Sequence, residues 1–217
     1  MKITSKPGRG EKVHIYIDGE YAATTCLNFW HSRNIKDGDD LSTEEISELF
    51  QAIQDRRFFN QAVSYLSCRD YSRNELSRKL VEKAYRKKSS GCNPETFKES
   101  AEKACDRLEE LGLLDEERFA RIYAEELVRN KKISRPGLLR ELSRKGVCRD
   151  IAENVSEEIR IEPEESIREL LETKYKNRDL KDEKERMRTV RALQRLGYSF
   201  SEIKSVVGDC FPEDGEY

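Results

Sequence analysis

The chain repeats itself, and this restricts its folds more than any single motif does. Ser72, Arg73, Leu76, Arg78, Leu80 and Lys83 recur as Ser134, Arg135, Leu138, Arg140, Leu142 and Lys145, a constant offset of 62. Arg135, Leu139, Arg140, Leu142, Arg144, Gly146 and Val155 recur as Arg186, Val190, Arg191, Leu193, Arg195, Gly197 and Val206, at offset 51. A third register, at offset 48, carries Glu117, Phe119, Ile122, Tyr123 and Leu127 onto Glu165, Ile167, Leu170, Leu171 and Tyr175. Self-similarity at about 50 residues marks stacked helical units, each too small to bury its apolar face alone. The expected architecture is mainly α: tandem three-helix repeats forming an elongated array, the middle helix of each unit basic. The repeats fall at 55–112, 113–161 and 162–210, after an N-terminal β-hairpin plus helix module at 1–54 and before an acidic tail at 211–217. The offset of 62 is long because Arg86-Lys87-Lys88-Ser89-Ser90-Gly91-Cys92-Asn93 has no counterpart later. It reads as a basic loop closed by the helix start Asn93-Pro94-Glu95. Ala84 stands where the other units have Gly146 and Gly197. Without a helix-ending glycine, the first middle helix is expected to run a turn longer.

Apolar spacing and caps support this phasing. Phe97, Ala101, Ala104, Leu108 and Leu111 form one helical stripe, and Phe119, Ile122, Tyr123 and Leu127 start another. Between them Gly112 can end the first helix and Asp115 can cap the second, predicting a tight helix–helix corner inside a core. Ser72…Glu75 and Ser199…Glu202 have capping-box spacing. Pro136 and Pro163 suit first turns. Near the N-terminus Val13-His14-Ile15-Tyr16-Ile17 alternates, Asp18-Gly19 is a hairpin turn, and a second strand follows over about Glu20–Cys26. Two strands alone are barely stable. The cover is a helix opening at Ser42-Thr43-Glu44-Glu45 with Ile46, Leu49, Phe50 and Ile53 on one face, and Phe29 and Trp30 plugging the core.

A near-zero net charge of -2 conceals alternation. Residues 67–90 hold eight Lys/Arg against three acids, 129–149 eight against one, and 174–195 nine against four, with acidic stretches between. Many such charges pair across solvated helix faces. Three basic segments at the same place in each repeat point further, to a binding surface. Enzyme chemistry has no visible carrier. No glycine-rich loop has phosphate-cradling spacing. His14 and His31 fall in the β module, and the acids sit at helical spacing beside bases. Asp37-Gly38-Asp39-Asp40 reads as a turn lacking calcium-loop spacing. The six cysteines include no C-x-x-C pair, so neither zinc nor disulfides are expected in a reducing compartment. No stretch of about 18 apolar residues or signal core occurs, which predicts a cytoplasmic protein with no membrane association; a monomer without a cofactor is expected.

Three blocks carry a family resemblance. The run Leu111-Gly112-Leu113-Leu114-Asp115-Glu116-Glu117-Arg118-Phe119-Ala120, followed by Leu138-Leu139-Arg140-Glu141-Leu142-Ser143-Arg144-Lys145-Gly146-Val147, resembles the RecX family of bacterial recombination regulators. Ser72-Arg73-Asn74-Glu75-Leu76 with Leu80 and Lys83 resembles that family's first block, and the likeness extends over roughly residues 60–207. The resemblance implies a non-enzymatic protein that lies along the RecA–DNA filament and inhibits its ATPase, its growth and strand exchange. Homologous recombination and the SOS response would thereby be modulated. Arg73, Arg78, Lys79, Arg86, Lys87, Lys88, Arg135, Arg140, Arg144, Lys145, Arg186, Arg191 and Arg195 become the candidate contacts to RecA or DNA. The segment 129–149 is expected to dominate, with Arg140 and Arg144 on one free face and Leu138 and Leu142 buried on another. Direct DNA binding without RecA remains an alternative, with Tyr71, Tyr85, Tyr175 and Tyr198 as widely spaced stacking candidates. So does a docking scaffold built on the β module.

Overall fold

The computed structural model describes residues 1–86 and 94–208. Lys87, Lys88, the rest of the expected basic loop through Asn93, Cys92, Cys210 and the acidic tail lie outside the described residues. The chain divides into two compact units, the first Met1–Ser67 with Ser77–Leu111, the second Cys68–Leu76 with the described residues from Gly112 on.

The first unit opens with an antiparallel sheet of β1 (Ile3–Pro7), β2 (Lys12–Ile17) and β3 (Glu20–Cys26), in that order. The hairpin turn at Asp18-Gly19 has both residues at positive φ, as a tight two-residue turn demands. The strand β1 is an addition to the expected hairpin. Its sequence, ITSKP, is too short and polar to signal a strand, and pairing with β2 (Ile3 opposite Ile17) is what defines it. The outer edge of β1 is occupied by the 36–41 loop: Ile3 N donates to Asp39 O and Gly38 N to Ile3 O. Asp37 accepts from Ser5 N and Ser5 Oγ, so the acid-rich turn serves as an edge cover.

One face of the sheet is dry. Ile3, Val13, Ile15 and Ala23 pack with Phe29 and Trp30 of α1 (Leu27–Ser32) and with Leu49 and Ile53 of α2 (Thr43–Leu66). A Ser42/Glu45 capping box starts α2, satisfying amides that have no partner inside the helix. The helix then continues unbroken through position 54, where a module boundary was expected, because its two halves serve different neighbours. Its second half packs on α4 (Pro94–Glu110), with Phe58 stacked on Phe97 and Gln54 donating to Ser100 Oγ at 2.9 Å.

In the second unit α5 (Glu116–Lys131), α6 (Arg135–Arg144) and α7 (Arg149–Glu158) close around Phe119, Ala124, Leu127, Leu138, Leu142 and Val155. The next triplet, α8 (Pro163–Glu172), α9 (Glu183–Arg195) and α10 (Phe200–Val207), closes around Ile167, Leu170, Val190, Leu193, Tyr198 and Ile203. Asp115, Ser134, Asp182 and Ser199 accept at the N-termini as caps. The helix α3 (Arg73–Arg86) runs past Ala84, whereas α6 stops before Gly146, in line with the missing glycine.

The corner at Gly112 differs from expectation. There α4 packs on α2 in the first unit, while α5 packs on α6 and α7 in the second, so the two helices serve different cores; Leu114 in the turn is buried. Leu111 is accordingly 49% exposed and Ile122 51% exposed, although both belong to the expected stripes. Leu170 is buried, so the offset of 48 does not equate it with Ile122 in environment.

Candidate binding surface

Within the second unit one joint occurs twice, first between the Cys68–Leu76 segment and α6 and then between the two triplets. At the first, Ser72 Oγ, ahead of α3, donates to Lys145 O at the end of α6 (2.5 Å) while accepting from Glu75 N (3.2 Å). At the second, Ser134 Oγ and Ser134 N both donate to Leu196 O at the end of α9 (3.1 Å each), and Ser134 Oγ accepts from Gly137 N. In each, one helix N-terminus satisfies a carbonyl left open at another helix's C-terminus, positive dipole end against negative. The offsets in the sequence are those of this joint: Ser72 to Ser134, and Lys145-Gly146 to Leu196-Gly197. Gly146 and Gly197 have φ of +77° and +101°. An added Cβ at Gly146 would meet Asn74 Cβ at 2.5 Å, and one at Gly197 would meet Gly137 N at 2.5 Å. Glycine is needed there twice over, for its backbone and for its absent side chain.

The two joints carry different charge. At the first, Glu75 takes Arg69 (2.7 Å) and Lys145 (3.2 Å), and Lys145 Nζ also lies over the Tyr123 ring. Burial pushes the Glu75 carboxyl up, but hydrogen bonds and charges from Arg69 and Lys145 outweigh it and hold it below the usual range. Lys145 thus braces the end of α6 against the start of α3. Glu75 reaches these cations instead of serving only a capping box. At the second joint Gly137 replaces Glu75 in the repeat, and its missing Cβ lets Leu196 O approach its backbone. Arg140 Nη2 donates to Arg195 O (3.4 Å), bringing the ends of α6 and α9 together. Arg135 stands next to Ser134, and Arg191 one turn before Arg195. All four arginines are exposed, and among the described residues none has a carboxylate within ion-pair distance.

The remaining candidates scatter. Arg144 pairs with Glu141 (2.5 Å), whose carboxyl that hydrogen bond lowers despite some burial. Arg144 is thus solvent-exposed but paired within its own helix, not with the acidic helix α7. In the first unit Arg78 pairs loosely with Glu82 (3.9 Å), Lys79 lies over the Tyr65 ring (4.7 Å), and Arg86 is exposed at the end of α3. Arg73, in the second unit, is half-buried. Arg186 is half-buried and donates to Leu180 O (3.4 Å). The stacking candidates Tyr71, Tyr175 and Tyr198 are buried. The Tyr198 hydroxyl donates to Lys132 O (2.5 Å), and burial pushes its pKa up to about 12. Sequence reasoning passed over Ser134, Gly137, Leu196 and Gly197 as site-builders. Their signal was the recurrence of a serine cap and a glycine at matching repeat positions.

Two family models match the second unit: one described as RecX, third three-helix domain, over residues 162–207, the other as RecX, second three-helix domain, over residues 115–155. The protein called "Regulatory protein RecX" from Clostridium tetani is 24% identical to this chain over 99% of its length and 95% of that protein. The chain belongs to the RecX family. Among other RecX relatives, that of Bacillus subtilis is 26% identical, covering 99% of this chain and 78% of that one. Against the RecX of Lactobacillus johnsonii, at 29% identity, the match spans 70% of this chain but only 52% of that protein. A crystal structure of regulatory protein RecX shares the fold, with a TM-score of 0.64 at 19% identity over 94% of this chain and 98% of that one. The matched domains coincide with most of the two triplets of the second unit, and the arginine-rich joint draws on both, with Ser134 and Arg140 inside one and Arg195 and Leu196 inside the other.

Proposed function

We propose that this chain is a non-enzymatic regulator of RecA that binds the RecA–DNA filament in the cytoplasm and inhibits its ATPase, growth and strand exchange. Membership of the RecX family supports the partner. The observation that carries the mode of action is the α6–α9 joint, whose Arg135, Arg140, Arg191 and Arg195 are exposed and, among the described residues, have no carboxylate within ion-pair distance. Guanidinium groups in such a cluster grip carboxylates or phosphates bidentately, and the rigid joint fixes their spacing in advance. Regulation then comes from occupying surface, and the nucleotide chemistry stays with RecA.

The test is the DNA-dependent ATPase of cognate RecA at substoichiometric ratios of this protein. Suppression is expected, and the double variant Arg140→Ala/Arg195→Ala should relieve it while unfolding like wild type. No effect on RecA at any ratio refutes the proposal. Full inhibition by the folded double variant moves the working surface away from this joint.

A further inference from the structure

The outer face of the N-terminal sheet carries an aromatic and basic surface that the RecA reading does not use. Alternation along β2 sends Val13 and Ile15 into the core and leaves Lys12, His14 and Tyr16 on the other side. The register sets Lys6 opposite His14, Thr24 opposite His14 on the other flank, and, after a bulge, Tyr21 opposite Tyr16. The rings meet edge to face: Tyr16 and Tyr21 at 6.0 Å, His14 and Tyr21 at 6.1 Å. Thr24 Oγ1 ties them down, bonded to His14 Nδ1 (2.7 Å) and to the Tyr21 hydroxyl (2.9 Å). Lys6 Nζ lies 4.9 Å from the Tyr16 ring centre. Tyr21 is nonetheless 59% exposed, the most exposed large hydrophobic side chain among the described residues.

Charge decides what such a face suits. The only carboxylate within the three strands is Glu20, which stands opposite Ile17 on the inward parity, at the turn. Among the described residues neither Lys6 nor Lys12 has a carboxylate within ion-pair distance. Pre-positioned rings between unneutralised lysines match a polyanion whose flat bases alternate with phosphates. Stacking on aromatic side chains with lysines along the backbone is how sheet faces hold single strands. A duplex keeps its bases stacked on one another and offers these rings nothing.

We infer that this sheet face is a binding site for single-stranded DNA, with Tyr16 and Tyr21 as the stacking platform and Lys6 and Lys12 as phosphate contacts. The choice of DNA over RNA rests on the proposed RecA reading; the site itself does not, and its test omits RecA. Full-length protein is titrated into a fluorescently labelled oligothymidylate and followed by anisotropy. Tyr16→Ala/Tyr21→Ala should weaken binding by about tenfold or more, from the stacking of one or two bases. Tyr16→Phe/Tyr21→Phe, which keeps the rings, should bind within about twofold of wild type. Lys6→Gln/Lys12→Gln should flatten the salt dependence, while the alanine pair should not. Photo-crosslinking of wild type to a 5-iododeoxyuridine oligonucleotide should label peptides within residues 12–26, and this needs no variant to fold. Absence of single-strand binding, equal affinity in the alanine pair, crosslinks confined to other residues, or preference for the same length of oligouridylate would each overturn the assignment. Loss of a protein partner by the alanine pair with unchanged DNA affinity would overturn it as well.

Discussion

Gly146→Ala isolates the repeated joint from the ordinary burden of a left-handed residue. Gly146 and Gly112 have similar φ, +77° and +66°. Nothing lies within 4 Å of a Cβ built at Gly112, whereas one at Gly146 would fall 2.5 Å from Asn74 Cβ and 2.9 Å from Asn74 Cγ. Alanine at either site should cost about 1–2 kcal/mol for the left-handed backbone. Only at 146 is there a further overpacking term, about 1–3 kcal/mol, because Asn74 Cβ is fixed to the first turn of α3 and cannot rotate away. The two variants should therefore differ by about 1–3 kcal/mol, which at an ordinary urea m-value is a midpoint difference of roughly 1 M. Gly197→Ala should be worse still: its φ is +101°, and the blocking atoms are Ser134 Oγ and the Gly137 backbone. Urea unfolding followed by far-ultraviolet circular dichroism gives the three midpoints. Equal shifts in all three variants would show that the joint is not close-packed and that the glycines serve only to end helices.

Ser134→Ala removes both the cap of α6 and the hydroxyl donor to Leu196 O, and should lower stability by about 1–2 kcal/mol in the same unfolding assay. Glu75→Gln should lower stability at neutral pH by about 1–3 kcal/mol, since it weakens hydrogen bonds to Arg69 and Lys145. The folded carboxyl lies below its ordinary value of 4.5, so its contribution is present above that value and lost as pH falls through the depressed one. The deficit of Glu75→Gln should accordingly vanish in acid; a deficit independent of pH refutes the charge reading. Tyr198 is the opposite case, raised from 10.0 to about 12, so wild type should lose about 2–3 kcal/mol as pH rises across that interval. Tyr198→Phe should lack this alkaline loss in pH-dependent melts, at the expense of the bond to Lys132 O at neutral pH.

Periodicity alone determined a good deal. The stripes placed α4 and α5, and the caps at Asp115 and Ser199 placed starts, because helix ends must satisfy backbone groups locally. The hairpin turn was legible for the same reason, since Asp18-Gly19 solves a local backbone problem. The basic middle helices and the family were readable too, as both are properties of residue order. Leu138 and Leu142 are buried as their spacing required.

What only the tertiary structure decided is which surfaces meet. Leu111 and Ile122 sit on well-formed apolar stripes yet face solvent, because the helices carrying them turn to different cores. The strand β1 exists by pairing, which no local signal in ITSKP announces. Among the thirteen basic candidates, charge patterning could not separate Lys145, held by Glu75, from Arg140, whose nearest recorded partner is the Arg195 carbonyl. That distinction depends on what a neighbouring repeat places opposite each side chain: a glutamate at position 75, a glycine at its counterpart 137. Repetition in sequence fixes equivalent backbone positions, but charge balance is settled across the joint, between residues 55 and 70 positions apart in the chain.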